Sequence, residues 1–358
     1  MLSARLSLVL AFALALSASA GRGAVAAQAP RIEKPRTVPA PTLPLPPLPP
    51  AVIDDKLVIG GEDLKAREVS TRMTVEVRIN GRGPYRFLVD SGADTSAVGL
   101  RIARELQLPI GTEAVLHGMT ATAVVDRVLV NEMSLGQSSI RNLEVPALRE
   151  DDLGGEGMIG IDALAGQRLM MDFERRIIRA EDARRPEKLM GDEIVVIARR
   201  RRGQLILTQV TAGGLPVEAV VDTGSEITIG NLALRDQLIR GNRDKFLTVP
   251  VTGVTGVTVD LQLARVNELR LGSVTLRDVP IAFADVPPFT LFGLSKEPAL
   301  LLGTDLLETF RRVSLDFRAR KVRFQLRRCG TTGVTISTSS EFWSTHLSSG
   351  ENNDVCAR

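Results

Sequence analysis

The sequence has few aromatic residues. Phe, Trp and Tyr together make up 4% of its 358 residues, with one Trp and one Tyr, so the core must be filled by Val, Leu, Ile and Ala, which suits pleated β packing. Two His and two Cys leave no credible zinc set, and no Ser-His-Asp constellation is visible. No Gly-rich loop follows a strand and opens a helix, which excludes a phosphate cradle. Charge of one sign is also lacking. With 45 basic and 42 acidic residues the net charge is +3, and no basic stripe interleaved with aromatics is present, so nucleic acid is not an expected partner. Neither a metal nor a cofactor is implied.

The first twenty residues carry Arg5, an apolar run from Leu6 to Leu16 and the small residues Ala18-Ser-Ala20, the pattern of an export signal over residues 1–20. No later segment reaches the roughly 20 apolar residues of a bilayer span. The mature chain is expected in the periplasm or outside the cell, without a membrane span. Residues 30–50 hold nine Pro, a composition that favours an extended spacer over a packed core, so 21–55 reads as a linker, with partner docking as the alternative. Cys329 and Cys356 both fall in a polar tail, 329–358. In an oxidising compartment they are expected to pair as a structural disulfide.

Two copies of one unit organise the rest. The first runs through Phe87-Leu-Val-Asp-Ser-Gly-Ala93, Leu116-His-Gly-Met-Thr120, Val130-Asn-Glu-Met-Ser-Leu-Gly136, Met158-Ile-Gly-Ile-Asp-Ala-Leu164 and Leu169-Met-Met-Asp-Phe173. The second repeats the order as Ala219-Val-Val-Asp-Thr-Gly-Ser225, Val251-Thr-Gly-Val-Thr255, Val266-Asn-Glu-Leu-Arg-Leu-Gly272, Leu301-Leu-Gly-Thr-Asp-Leu-Leu307 and Val313-Ser-Leu-Asp-Phe317. Asp90 and Asp222 lie 132 residues apart, and Asp172 and Asp316 lie 144 apart. Small insertions account for the drift.

Runs of period two, such as Met73–Ile79 and Leu205–Val210, separated by turns such as Asn80-Gly-Arg-Gly-Pro84, predict short strands. Helical periodicity is confined to Leu100–Leu106, Leu232–Ile239 and a short piece after each apolar-apolar-Gly motif. An all-β fold of two tandem lobes with short helices is expected, over 56–185 and 190–328. The run Arg199–Arg202 reads as a solvated hairpin turn, with an anionic surface or acidic substrate as the functional alternative.

Paired aspartates in such loops carry a specific chemistry. Two close carboxyls ionise in two coupled steps, leaving one acid and one base over a useful pH range, which is what water-mediated peptide hydrolysis requires. The apolar residues ending in Val89 and Val221 read as buried strands that deliver each carboxylate. Ser91 or Thr223 can bond across to the other loop, and Gly92 and Gly224 permit a tight turn with a free N–H near the carboxylate. Ala93 and Ser225 complete the loops, where Ser225 could add a hydrogen bond to its aspartate.

With these motifs the chain resembles aspartic peptidases of the pepsin and retropepsin clan, over roughly residues 56–328, and looks more like bacterial retropepsin-like proteins than eukaryotic pepsins. The resemblance implies β-barrel lobes packed as a pseudo-dimer, catalytic Asp90 and Asp222, an apolar-Gly segment crossing beneath each loop at Ile159-Gly160 and Leu302-Gly303, and hairpins closing over substrate near Gly118 and Gly253. The flap Tyr of pepsins has no counterpart, since the one Tyr is Tyr85. His117 reads as a substrate contact or a solvated loop residue. Asp94 and Glu226 are expected to pair with Arg of the other lobe, the alternative being substrate binding.

Three readings follow from the residues and the resemblance: a two-lobed monomer with one site cutting polypeptides, lobes that pair between chains, or a peptide-binding module without turnover. The separation of the two carboxyls discriminates among them.

Overall fold

The computed structural model describes Ile32 and residues 36–38, 62–65, 67–69, 72–136, 138–164, 167–184, 193–238, 246–327 and 335–338. The export signal, the Pro-rich run Pro44–Pro50, Cys329 and Cys356 lie outside the described residues.

The first lobe begins with β1 (Arg36–Val38), β2 (Glu62–Lys65), β3 (Arg67–Val69), β4 (Arg72–Ile79), β5 (Arg82–Val89), β6 (Ala97–Gly99) and α1 (Leu100–Glu105). It continues through β7 (Ile110–His117), β8 (Thr122–Leu135), β9 (Ser138–Leu148), α2 (Glu150–Leu153), β10 (Gly157–Ile159), α3 (Ile161–Leu164), β11 (Gln167–Asp172) and β12 (Ile177–Asp182). The second lobe repeats that order. It comprises β13 (Glu193–Arg201), β14 (Gln204–Ala212), β15 (Leu215–Val221), β16 (Ile229–Gly230), α4 (Leu232–Leu238), β17 (Leu247–Thr252), β18 (Thr258–Leu271) and β19 (Val274–Phe283). The chain then forms α5 (Pro287–Leu291), β20 (Ala299–Leu302), α6 (Thr304–Leu307), β21 (Phe310–Asp316), β22 (Lys321–Leu326) and β23 (Thr335–Thr338). The protein is all-β with short helices, as the alternation predicted.

Alternation explains the strands. In β4, Val75, Val77 and Ile79 face a core from which Glu76 and Arg78 are excluded. The β4–β5 turn is tighter than the sequence implied, because Asn80 and Gly81 both take positive φ, the geometry of a two-residue hairpin turn, and Arg82–Pro84 already belong to β5.

The long strands β8 and β18 each serve two structures. One end forms a hairpin with β7 or β17, while the other lies in the lobe body against β9 and β4, or β19 and β14. A six-stranded antiparallel ribbon, β13-β22-β21-β11-β12-β2, joins the lobes with three strands from each. At its centre β11 pairs with β21, and a reciprocal ion pair crosses the seam: Arg168 Nε to Asp316 Oδ2 at 3.1 Å and Arg312 Nε to Asp172 Oδ2 at 2.5 Å. Both aspartates are almost fully buried, and each also accepts a backbone N–H, from Ala319 or Arg175. Those bonds satisfy carboxylates that would otherwise be costly to bury. The repeated Asp-Phe block of the sequence is thereby explained as the weld between lobes.

Two stretches expected to be unstructured contribute strands. Arg36–Val38, within the expected linker, pairs with Thr122–Val124 of β8, and Arg36 forms an ion pair with Glu113. Thr335–Thr338, within the polar tail, pairs with β19. The physical reason is shared, because an open sheet edge presents unpaired N–H and C=O groups that any extended segment can satisfy. Glu181 and Asp182 complete β12.

Candidate active site

Each aspartate sits where an apolar strand ends. β5 and β15 run parallel to β10 and β20, with Val89 beside Ile159 and Val221 beside Leu302. The backbone N–H of Asp90 donates to the Ile159 carbonyl at 2.9 Å and that of Asp222 to the Leu302 carbonyl at 3.0 Å. The two apolar-Gly segments therefore cross beneath the two loops. No side chain fits at the crossing: a Cβ on Gly160 would lie 2.5 Å from the Thr95 carbonyl carbon, and one on Gly303 would strike the Ile227 backbone.

Hydroxyls lock the loops to each other across the lobes. Ser91 N–H donates to Thr223 Oγ1 at 2.9 Å, and Thr223 Oγ1 donates to the Val89 carbonyl at 2.8 Å. The mirror bonds run from Thr223 N–H to Ser91 Oγ at 3.2 Å and from Ser91 Oγ to the Val221 carbonyl at 2.8 Å. All four are buried.

The same lock brings the carboxyls together. Gly92 and Ala93 N–H donate to Asp90 Oδ1 at 2.8 and 3.0 Å, while Gly224 and Ser225 N–H donate to Asp222 Oδ1, each at 3.1 Å. The two side chains share a hydrogen bond. One chain supplies both. The Ser225 hydroxyl takes a different partner from the one expected, donating to the Ile227 carbonyl at 2.8 Å, because the backbone N–H groups already occupy the near oxygen of Asp222.

Burial dominates the electrostatics. It raises Asp90 above the ordinary carboxylate range against the pull of the Gly92 and Ala93 N–H groups and of Arg72. Asp222 is pushed up to about 8, first by burial and then by the charge of Asp90. In an unfolded chain an aspartate titrates at about 3.9, so between about pH 4 and 8 the folded state holds a proton that the unfolded state has released. Stability therefore falls as pH rises through this window, by up to about 1.4 kcal/mol per pH unit. Urea unfolding midpoints are expected to be higher at pH 5 than at pH 7.5, with a smaller difference in Asp222→Asn. Equal midpoints in the wild type would contradict the raised carboxyl.

Several supporting residues escaped the sequence reading. Asp162 Oδ2 accepts from Thr95 Oγ1 and Ser96 N–H, and its Oδ1 accepts from Ser96 Oγ at 2.7 Å. Asp305 repeats this with Thr228 N–H and Thr228 Oγ1. Ser96 Oγ and Thr228 Oγ1 in turn accept the N–H of Gly160 and Gly303, each at 3.1 Å. Burial raises both carboxyls. The available signal was recurrence of an acid two residues past each crossing Gly.

The acids four residues past Asp90 and Asp222 pair across the lobes, as expected. Glu226 meets Arg72 at 2.7 Å and Asp94 meets Arg202 at 3.6 Å. Arg202 is thus not a solvated turn residue. It stands at the β13–β14 turn with positive φ, its side chain 17% exposed, and reaches the other lobe, whereas Arg199–Arg201 lie in β13. His117 is half-buried, its Nδ1 3.0 Å from Thr122 Oγ1; burial and Arg202 lower its pKa, and Asp94 opposes them.

Gly118 and Gly253 sit at the tips of the β7–β8 and β17–β18 hairpins, and the tips touch. A Cβ on Gly118 would lie 3.2 Å from Val254 Cγ2, and one on Gly253 would meet Thr120 Oγ1. Each tip packs on the opposite lobe: Met119 joins the cluster of Phe289, Phe292 and Leu301, and Val254 joins that of Leu88, Leu153 and Met158. Among the described residues no helix is long and apolar enough to cross a membrane, and no group of three or more His, Cys, Asp or Glu is placed to hold a metal ion.

A comparison with curated proteins finds none that matches this chain. The family of aspartyl proteases matches twice, over residues 75–163 and 208–306, and each match contains one Asp-hydroxyl-Gly loop and its crossing glycine. A chain that carries this unit in both lobes, over more than half its length, belongs to the aspartyl protease family in a tandem two-lobe form.

Proposed function

We propose that this chain is an endopeptidase in which Asp90 and Asp222 of one molecule activate a water for attack on a peptide carbonyl. The observation that carries the reading is the hydrogen-bonded carboxyl pair, clamped by four buried inter-lobe bonds. A carboxylate takes a proton from water while the neighbouring carboxyl gives one to the developing oxyanion or the leaving nitrogen. Holding both groups in one geometry removes the orientational part of the barrier.

An unfolded or extended polypeptide is the substrate class that suits hairpin tips of this kind. The hydroxyls of Thr120 and Thr255 at the two tips are buried without hydrogen-bond partners among the described residues, and a peptide backbone would satisfy them. The apolar run Leu6–Leu16 followed by Ala18-Ser-Ala20 supports export, and with it an activity in the periplasm or outside the cell.

The test is cleavage of an unstructured polypeptide by the purified protein, followed by complementation. A mixture of Asp90→Asn and Asp222→Asn chains is expected to stay inactive, because no single molecule in it holds both carboxyls. Activity that returns on mixing would show lobes pairing between chains. A wild-type protein that binds the polypeptide without cutting it would overturn the peptidase reading.

A further inference from the structure

The lobes repeat each other, yet the two aspartates have unequal surroundings. Arg72, which opens β4, and Gln204, which opens β14, are counterparts 132 residues apart, like the aspartates themselves. Both reach the backbone of the other lobe's loop: Arg72 Nη1 donates to the Gly224 carbonyl at 3.4 Å and Gln204 Nε2 to the Gly92 carbonyl at 3.3 Å. One side chain is a permanent cation and the other is neutral.

Those glycines press on opposite carboxyls. A Cβ on Gly224 would collide with the Asp90 carboxyl, and one on Gly92 would lie 2.6 Å from Asp222 Oδ1. The Arg72 charge therefore stands on the Asp90 side, where it favours the ionised form. Glu226, its ion-pair partner, is 42% exposed against 14% for Arg72, so water screens the anion more than the cation. On the Asp222 side, Gln204 also donates to Asp94, while Arg202 and Asp94 form their own pair with His117 nearby. Asp222 is the more buried aspartate, 7% exposed, and Asp90 is intermediate.

We propose that Arg72 breaks the two-fold symmetry of the dyad, holding the negative charge on Asp90 and leaving the shared proton on Asp222. Resting on the peptidase reading, this makes Asp90 the base toward water and Asp222 the acid toward the substrate carbonyl. Arg72 is a positioning residue that acts through charge and never touches the reacting atoms.

Carboxyl titration by carbon-13 NMR tests the assignment without any substrate. In Asp222→Asn, where Asp90 titrates alone, adding Arg72→Gln is expected to make Asp90 hold its proton about tenfold more tightly, the low end for losing a nearby opposite charge. In Asp90→Asn the same change should leave Asp222 within about twofold. Arg72→Lys keeps the charge and should move Asp90 by less than about threefold. Should Arg72→Gln fail to fold, Gln204→Arg in Asp90→Asn places a cation at the mirror position and should loosen the Asp222 proton about tenfold.

An unchanged Asp90 in Arg72→Gln, equal shifts at both carboxyls, or an unresponsive Asp222 in Gln204→Arg would overturn the proposal. Midpoints that move as expected in a protein that cuts no polypeptide would sink the peptidase reading and leave this assignment standing.

Discussion

Asp90→Asn and Asp222→Asn are each expected to lower kcat on an unfolded polypeptide by about 1,000-fold or more, and the double variant should be no worse than either single one. The two carboxyls share a hydrogen bond, so on the proposed mechanism removing either one deletes both the acid and the base. Such groups act as a unit, and their effects do not add. Folding should survive. An amide occupies the same volume and relieves the burial and charge repulsion that raise Asp222, so thermal midpoints at pH 7.5 should hold or rise. Initial rates and circular dichroism melts on the same preparations separate lost chemistry from lost structure. Substantial residual activity in either folded variant would contradict a shared dyad.

Thr223→Val is the second large effect. The substitution keeps shape but removes the hydroxyl that accepts from Ser91 N–H and donates to the Val89 carbonyl, both buried. Each stranded polar group costs about 1–3 kcal/mol, so the loss of stability for the two should be about 2–6 kcal/mol. Activity should fall by about 100-fold as well, because the separation of the carboxyls is no longer held. Thr223→Ser restores the hydroxyl and should recover most of both. Ser91→Ala removes the mirror bonds, and combining it with Thr223→Val should give less than the sum, since the two side chains share one network. Urea unfolding and kcat measure the two effects. A stability loss under about 1 kcal/mol with full activity would show that these hydroxyls do not hold the loops together.

The family and the all-β class were legible because they are written in local patterns. Period-two alternation marked β4 and β14, and the duplicated block order tied Asp90 and Asp222 to corresponding places in two lobes. Pairing of Asp94 and Glu226 across the lobes also followed from residues alone, although which arginines they meet did not. Arg202 looked like part of a solvated basic run, and its reach to Asp94 depends on where the β13–β14 turn lands relative to the other lobe. Arg72 carried no signal beyond its offset from Gln204. Exchange of Met119 and Val254 between hairpin tips is likewise a contact between segments more than a hundred residues apart.

The aspartates illustrate the division. Residue order by itself determined that two Asp-hydroxyl-Gly loops exist, that each follows an apolar run, and that an apolar-apolar-Gly motif recurs later in each lobe, since strand periodicity, turn chemistry and duplication are short-range properties. Only the tertiary structure decided that one chain brings the two carboxyls within a hydrogen bond, that four buried bonds clamp them, and that a cation stands on one side and a neutral amide on the other. Proton sharing depends on distance, burial and the placement of charge, and those quantities arise only when the inter-lobe ribbon has packed one half of the chain against the other.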